Sequence, residues 1–417
     1  MPLARHSSKD LERGQAASPQ PPLPGTEERG RRLGEAEATV GRENVVLVTT
    51  TGHPSMDMYA LRLAERLPVA RRHVRLEGTS AGLFNEPLVG LASLCSLRGD
   101  VRAIRLLRSE RRLLHLPNHH LARYGRALTA PYAVTAHDVI RWLDARGLGP
   151  YISRPNLRHR VCIGLDYGGI VRAAAIIAPS RATKADIVQH LGVREERVHV
   201  VYMGVDHGLF RPVLGSPLSV PYLLFVGTEH PRKNLIGLLK AFAKLKTQRR
   251  FRDLKLVKIG SAGSAEAPFR RATVRAVLEL ELEDEVVFAG RIAPHELPAY
   301  YSGAQCAVLP SIYEGFGFAA LEGMACGCPV IVSNVTSLPE IVGDAGLQVA
   351  PHDVEGLRRS IELVLTDRGT RDLLHQRGLE RAKRFSWDRC AAETMEVYRS
   401  VLDSLPLAGP VSRVEAP

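Results

Sequence analysis

The 417-residue sequence lacks the features that would place it in a membrane or send it out of the cell. No apolar run approaches the ~20 residues that a transmembrane helix needs. The N-terminal residues contain no apolar core of the kind found in signal peptides. We therefore expect a cytoplasmic protein.

Cysteine is also scarce, with six residues scattered along the chain. Only Cys326 and Cys328 are close in sequence, and no second pair or histidine cluster completes a zinc-binding set. Isolated cysteines usually pack as small apolar side chains. We expect that role here, and we expect no bound metal and no cofactor.

Acidic residues are outnumbered, with 44 against 56 lysines and arginines, which gives a formal net charge of +12. The excess is local, because residues 45–220 contain 24 basic and 13 acidic residues. That half should attract an anionic partner, although diffuse basicity without a partner remains an alternative. No recognised nucleic-acid motif and no interleaving of aromatic and basic residues occurs, so nucleic acid is not the expected partner.

The chain is too long for one ordinary core, and its composition divides it into segments. Residues 1–44 combine prolines with charged residues and few apolar clusters, which predicts a disordered leader. A stretch rich in Pro, Gly and Ser at 211–221 predicts a linker between a domain at 45–212 and a second domain at 221–385. A C-terminal helix at 386–403 is expected to return to the first domain.

Short apolar runs alternate with segments of helical spacing on both sides of this linker. The predicted strands are 45–48, 133–136, 175–178 and 198–202 before the linker, and 222–226, 255–259, 286–288, 306–309 and 329–332 after it. Such alternation predicts an α/β protein with two Rossmann-like, doubly wound domains. Ligands bind at the carboxyl ends of the strands in such sheets, so we expect the site in the cleft between the domains.

The strongest candidate site follows the strand that ends at Leu309. Glu314 and Glu322 are separated by seven residues, and glycines at 315 and 317 allow a ligand to approach the backbone closely. The N-terminus of the helix predicted there can bind phosphate through its free N–H groups and its dipole. A carboxylate can accept hydrogen bonds from the paired hydroxyls of a sugar or a ribose. On spacing alone, a capped helix with an exposed glutamate remains an alternative.

This stretch resembles the E-x7-E motif of the retaining nucleotide-sugar glycosyltransferases of the GT-B fold, the large family 4 or group 1 transferases. The resemblance extends over roughly residues 45–403, and it is dense after residue 221. Further segments that match the family pattern in order and spacing are 134–138, 177–180, 201–206, 225–235, 287–292, 338–344 and 384–387.

The resemblance implies a phosphate-binding loop that begins at Gly227 and Thr228. Arg232 and Lys233 would neutralise the two phosphates of a nucleoside diphosphate sugar, and they would stabilise the charge that develops on the leaving group. Many relatives have arginine at the position of Thr228, so the sequence departs from the family there.

The resemblance also implies how the rest of the donor is held. Glu322 would bind the ribose, and Glu314 the transferred sugar. Backbone N–H groups of Gly315, Phe316, Gly317 and Phe318 would contact the sugar or the phosphate.

Three further residues acquire a role from the same comparison. Arg291 and Ile292 would contact the nucleobase through their backbone, and a plain strand end is the alternative. His137 follows a predicted strand and would face the cleft near the sugar. A structural role is the alternative for this histidine.

The family places acceptor recognition in the first domain, where this sequence matches it least. Relatives often have a Gly-Gly loop after the first strand, but here His53 and Asp57 are the polar candidates. Arg102 and Arg105 belong to a series at helical spacing that predicts one basic stripe, formed by Arg98, Arg102, Arg105, Arg108 and Arg112. Such a helix would place the protein on the inner face of the membrane, against anionic lipid, and a solvated helix is the alternative.

The resemblance thus implies metal-independent transfer of a sugar, with mannose as one candidate, to a glycan, lipid-linked or secondary-metabolite hydroxyl. Retention in this family is attributed to attack from the face of the leaving group, whose phosphate takes the proton. Two alternatives stay open: a GT-B phosphorylase or epimerase, and a protein that binds a nucleotide sugar without catalysis.

Overall fold

A computed structural model describes residues 44–51, 54–75, 105–108, 110, 112–149, 151–260 and 267–404. His53, Cys95, Arg98 and Arg102 lie outside these residues, as does the predicted leader apart from Asn44. Within the described part of the chain, no helix is both long enough and apolar enough to cross a membrane.

The described strands form two parallel sheets of six strands each. The strands of the first sheet are β1 (Val45–Thr51), β2 (Ala70–Arg75), β3 (Leu113–Leu116), β4 (Tyr132–Thr135), β5 (Ala175–Ala178) and β6 (Val198–Val200). Those of the second are β7 (Tyr222–Val226), β8 (Lys255–Ile259), β9 (Val286–Gly290), β10 (Cys306–Leu309), β11 (Val330–Ser333) and β12 (Gly346–Val349). Their spatial orders are β2-β1-β3-β4-β5-β6 and β12-β11-β10-β7-β8-β9.

Helices connect consecutive strands, as parallel pairing requires. In the first half they are α1 (Pro54–Ala64), α2 (Ile140–Ala145), α3 (Leu157–Arg172) and α4 (Arg181–Leu191). In the second half they are α5 (Leu235–Lys246), α6 (Ala267–Glu279), α7 (Leu297–Gly303), α8 (Phe318–Ala325), α9 (Leu338–Val342), α10 (Val354–Thr366) and α11 (Arg368–Ala382), followed by α12 (Trp387–Ser404).

The central strands are mostly apolar because helices cover both faces of each sheet. The side chains of β10 and β11 are buried throughout, for example. The five cysteines among the described residues are free and buried, as expected of small apolar side chains. The predicted doubly wound α/β architecture is confirmed.

Helix α12 packs against α1 and β5 of the first half. The Tyr398 hydroxyl lies 2.6 Å from His115 Nδ1, and Arg66 Nε donates to Asp388 at 2.8 Å. The segment before this helix runs beside the one that follows β6, since the Val205 amide donates to the Phe385 carbonyl at 3.3 Å.

The predicted basic stripe is wrong in its second half. Residues 105–108 are helical, but Arg112 is not, because it directly precedes β3 and its guanidinium pairs with Glu110. The segment also lies at the amino-terminal edge of the first sheet, where the Thr129 hydroxyl donates to the Arg108 carbonyl just before β4 begins. Arg105 is exposed at this amino-terminal edge. The residues that follow β4, such as His137, lie at the opposite, carboxyl-terminal edge.

Candidate functional site

The order in which the chain adds strands reverses once in each sheet. At both reversals, polar residues follow the strands at a crevice. In the second sheet β7 lies between β8 and β10, so the loops that follow β7 and β10 open on either side of the switch point. Arg232 and Lys233 lie after β7, and Glu314 lies after β10. Ligands of open α/β sheets bind at this position.

The carboxylate of Glu314 is the centre of this crevice. Lys233 Nζ lies 2.5 Å from one of its oxygens, and Arg232 Nη1 lies 2.9 Å from the other. The Ser311 hydroxyl donates to it at 2.8 Å, and the Glu314 amide donates to Thr336 Oγ1 at 3.1 Å. Three of the side chains predicted from sequence to act on the donor therefore form one cluster, in which Glu314 is buried and the two cations are half-buried.

The electrostatics of the cluster keep Glu314 ionised. Burial alone would raise the pKa of Glu314, but the charges of Lys233 and Arg232 and the hydrogen bonds from Lys233 and Ser311 outweigh it and lower the pKa to about 2. Burial also lowers the pKa of Lys233, an effect that Glu314 opposes and Arg232 reinforces. Two cations therefore share one anion, and the cluster has an excess of positive charge.

Glu322 lies on α8 in a different environment. The Tyr301 hydroxyl donates to its carboxylate at 3.0 Å, and Tyr301 itself is fully buried. Burial raises the pKa of Glu322 to about 7, although the hydrogen bond from Tyr301 and the charge of Lys233 lower it in part. The two glutamates of the motif thus differ widely in acidity because only Glu314 contacts both cations.

The loop before α8 leaves amide groups available to a ligand. Gly317 caps the helix at a φ of 104°, a conformation that side chains disfavour, and the first amides of α8 have no acceptor within the helix. The rings of Phe316 and Phe318 pack edge to face at 5.1 Å. Phe318 also stacks on Trp387 at 6.4 Å, which fixes the start of the helix.

Gly315 is where this loop meets the first half of the chain. A β-carbon on Gly315 would lie 2.1 Å from the carbonyl oxygen of His137, so only glycine fits. The hydroxyls of Ser180 and Thr183 donate to the Gly315 carbonyl at 2.8 and 3.1 Å. These two hydroxyls at the start of α4 escaped sequence reasoning because their partner is 135 and 132 residues away.

A second contact between the halves involves Glu340 on α9. Its carboxylate accepts the backbone N–H groups of Arg181 and Ala182 at 3.0 and 3.1 Å. The Tyr202 hydroxyl donates to the same carboxylate at 2.9 Å. Glu340 therefore occupies the N-terminus of α4, where the helix dipole favours an anion.

The loop from Gly227 to Lys233 rests on a buried ion-pair network that the sequence did not indicate. Glu229 is fully buried, with Lys258 Nζ and Arg270 Nε each 2.8 Å from its carboxylate. Burial would raise the pKa of Glu229, but the hydrogen bonds from Arg270 and Lys258 lower it overall. A lysine within the apolar run of β8 was the available signal, since a buried charge requires a partner.

Some buried polar atoms of this loop have no hydrogen-bond partner among the described residues, and two of them face the role predicted from the sequence. These two are the hydroxyl of Thr228 and the Nε of Arg232. Buried polar atoms are rarely left unsatisfied, so each has capacity for a ligand or water.

Gly227 adjoins this cluster, whereas the other residues predicted to act on the donor follow other strands. Gly227 lies within 3.6 Å of the Lys233 side chain, measured from the position of an ideal β-carbon. Arg291 and Ile292 directly follow β9, at the same edge of the sheet. His137 follows β4 and is held by its Nε2 atom, 2.8 Å from the Pro117 carbonyl, with its ring edge on Tyr59. The structure thus gives His137 a local structural partner as well as a position beside Gly315.

The predicted acceptor residues are less well grouped. Asp57 accepts a hydrogen bond from Thr50 at 2.7 Å, and Asn118 donates to Thr50 at 3.3 Å, at the switch point between β1 and β3. His53 and Arg102 lie outside the described residues, and Arg105 lies at the opposite edge of the sheet. In the described ranges, no group of three His, Cys, Asp or Glu side chains is arranged to hold a metal ion.

Comparison with known families accounts for both halves of the chain. A family model described as "Glycosyl transferases group 1" matches residues 207–381. A second, described as "Glycosyltransferase Family 4", matches residues 41–209. The chain belongs to the group 1 glycosyltransferases.

Individual proteins add detail. The chain is 40% identical to the O-antigen chain mannosyltransferase B of Escherichia coli over 43% of this chain and 45% of that protein. It spans about half the length of the first curated relatives that it matches, 45–57%.

Solved structures establish the fold as GT-B. Sucrose-phosphate synthase from Thermosynechococcus elongatus superposes with a TM-score of 0.69 and 22% identity, over 87% of this chain and 100% of that one. Anabaena Alr3699/HepE, solved in complex with UDP and glucose, gives a TM-score of 0.65 and 17% identity, over 87% and 100%.

Proposed function

We propose that the protein transfers a hexose from a nucleoside diphosphate sugar to an acceptor hydroxyl, with retention of anomeric configuration. The observation that carries this proposal is the Glu314 carboxylate bridged by Arg232 and Lys233, at the switch point of the second sheet. Two cations on one anion leave positive charge for a ligand. A phosphate-bearing ligand would supply the negative charge that this excess attracts, and its oxygens would accept hydrogen bonds from both cations.

The donor would then be held along its length. Lys233 and Arg232 would neutralise the diphosphate, together with the first amides of α8. The unsatisfied Thr228 hydroxyl and Arg232 Nε are suited to phosphate oxygens. Glu322 would accept hydrogen bonds from the ribose, and Glu314 from the hydroxyls of the transferred sugar.

The chemistry follows from these assignments. The bond between the anomeric carbon and the diphosphate oxygen breaks, and the acceptor oxygen bonds to that carbon on the same face. The acceptor's proton passes to the departing phosphate. Glu314 is ionised but engaged by three donors, which favours a role in holding sugar hydroxyls over one as a covalent nucleophile. Arg232 and Lys233 supply the charge neutralisation, so we propose that no metal is needed.

We propose mannose as the transferred sugar, because the relative with 40% identity is described as a mannosyltransferase. The acceptor would be the hydroxyl of a glycan, a lipid-linked saccharide or a secondary metabolite. Such a reaction uses a cytoplasmic nucleotide sugar, and we propose that the protein acts in the cytoplasm, at or near the inner face of the membrane.

Product analysis tests this proposal. The protein is incubated with GDP-mannose, UDP-glucose or ADP-glucose and a panel of mannose-terminated acceptors, and products are followed by mass spectrometry and proton NMR. We expect one donor to yield a glycoside with the donor's anomeric configuration, and the Lys233→Ala variant to yield none. An inverted product would contradict retention. Binding without turnover would favour the catalytically impaired alternative, and an altered donor sugar without acceptor would favour an epimerase.

A further inference from the structure

Helix α3 (Leu157–Arg172) has apolar residues on both of its faces. Ile163, Tyr167 and Ile170 are buried in the first half of the chain. On the opposite face, Leu157 and Val161 are 79% and 53% exposed. A surface helix of a globular protein normally carries polar residues there.

The exposed apolar residues of α3 form one row. Leu157, Val161 and Leu165 are spaced four residues apart and so lie above one another, over ~12 Å of helix. Leu165 is 44% exposed. Within the described residues, nothing covers this row, which we call the α3 face.

The exposed charged side chains of the segment that carries the α3 face have one sign. The exposed ionic residues from 146 to 172 are arginines, namely Arg146, Arg154, Arg160 and Arg172. The acidic residues between 139 and 172 are Asp144 and Asp166, and both are buried. Asp144 accepts backbone N–H groups from Tyr151, Ile152 and Ser153, and Asp166 pairs with Arg123.

We propose that the α3 face docks on an anionic lipid bilayer. Leucine and valine would enter the boundary between headgroups and acyl chains, while the arginines contact lipid phosphates. A second copy of the chain fits this face less well, because pairing two such helices would bring Arg154, Arg160 and Arg172 of both copies together. The excess of positive charge in residues 45–220 would also attract the chain to an anionic bilayer.

The α3 face is joined to the candidate donor site by a short segment. Tyr151 lies six residues before α3, and its carbonyl accepts the Arg232 amide at 2.9 Å. The Tyr151 ring also packs on Tyr313, next to Glu314, at 5.1 Å. Docking would therefore bring the bilayer close to the crevice, where it would present a membrane-bound acceptor. The docking itself does not depend on the proposed reaction.

Vesicle co-sedimentation tests the proposal with the full chain. Vesicles that contain both phosphatidylglycerol and phosphatidylcholine are compared at low salt with vesicles of phosphatidylcholine alone. We expect binding to the anionic vesicles only. Leu157→Ser with Leu165→Ser, and separately Arg154→Glu with Arg160→Glu, should each lower the partition coefficient at least about tenfold. The altered side chains are exposed, so melting temperatures should stay unchanged.

Matched controls change equally exposed residues elsewhere. Leu278→Ser with Leu373→Ser, and Arg271→Glu with Arg275→Glu, should bind vesicles as the wild type does. The proposal is overturned if the wild-type protein stays in the supernatant with anionic vesicles. It is also overturned if the control variants lose as much vesicle binding as the α3 variants. So does a dimer in light scattering without vesicles that the double serine variant abolishes, since that assigns the face to a second copy. Sugar transfer to a soluble acceptor is measured in parallel, because it can persist when docking fails.

Discussion

Lys233 Nζ and Glu314 Oε1 lie 2.5 Å apart in a cluster that also includes Arg232. Residues 81 positions apart in sequence meet because β7 and β10 are neighbours in the sheet. In the proposed complex the cations contact both the donor's diphosphate and this carboxylate. The pair thus links phosphate neutralisation to sugar binding.

Removing Lys233 should destabilise the protein even without a donor. Lys233→Ala leaves the buried Glu314 with one cation, and we expect a loss of about 2–4 kcal/mol in the free energy of unfolding. Urea denaturation measures this loss. Lys240→Ala on α5 is the matched control, because Lys240 is exposed, and it should change stability by less than about 0.5 kcal/mol. Equal effects of the two substitutions would contradict a buried ion pair.

Glu322 should make stability depend on pH near neutrality. Its carboxyl is protonated up to about pH 7 in the fold, but only up to its ordinary pKa of 4.5 when unfolded. The folded chain therefore holds more protons between these values, and this group's contribution to stability falls as pH rises through 7. Glu322→Gln removes the effect. Its melting temperature relative to wild type should be higher at pH 8 than at pH 5, and a pH-independent difference would refute the raised pKa.

Gly315 should tolerate no side chain. Gly315→Ala would place a β-carbon 2.1 Å from the His137 carbonyl, so the loop before α8 must move. A displacement of about 1 Å at a reacting centre costs on the order of 100-fold in kcat/KM. Gly164→Ala on α3, where nothing lies within 4 Å, should keep activity and raise stability by up to about 1 kcal/mol. Steady-state kinetics should show a loss in Gly315→Ala only, and thermal melts should show a lower melting temperature for Gly315→Ala and an equal or higher one for Gly164→Ala.

Glu340 should hold the two halves of the chain together. Glu340→Ala removes three hydrogen bonds to a carboxylate, and we expect a loss of about 1–3 kcal/mol and a larger radius of gyration by X-ray scattering. Tyr202→Phe removes one of these bonds and should have a smaller effect. Glu355→Ala on α10, whose side chain is 43% exposed, is the control. An unchanged radius of gyration in Glu340→Ala would show that this carboxylate does not govern closure.

The sequence was most informative where strands are buried on both faces. The predicted bounds of 222–226, 255–259 and 306–309 match the strands observed, because continuous apolar runs are typical of central parallel strands. Two of the missed strands, β2 and β12, are edge strands, and β2 contains three arginines. An edge strand is half solvated, so its composition resembles that of a loop or a helix face. The prediction of a basic stripe was wrong at Arg112, because a residue at helical spacing from the preceding arginines can by chance lie just before a strand instead of in the helix.

The candidate site likewise contains residues that the sequence predicted and residues that it did not. Glu314, Glu322, Arg232 and Lys233 were predictable because each belongs to a local motif at the end of a strand. Their supports were not, since Ser180, Thr183 and Glu340 act across more than 100 residues. Hydrogen bonds between residues so far apart in sequence depend on how the two sheets face each other, and no local sequence pattern predicts that arrangement.

Isothermal titration with nucleotide sugars tests the central claim most directly. Wild type, Lys233→Ala and the exposed-lysine control Lys240→Ala are each titrated with GDP-mannose, UDP-glucose and ADP-glucose. The account predicts that one donor binds wild type and the control equally, at one site per chain. It also predicts that Lys233→Ala binds this donor at least about 30-fold more weakly, since a charge that contacts phosphate is lost. Failure of all three donors to bind wild type, or equal binding by Lys233→Ala, would contradict a donor site at Glu314 and Lys233.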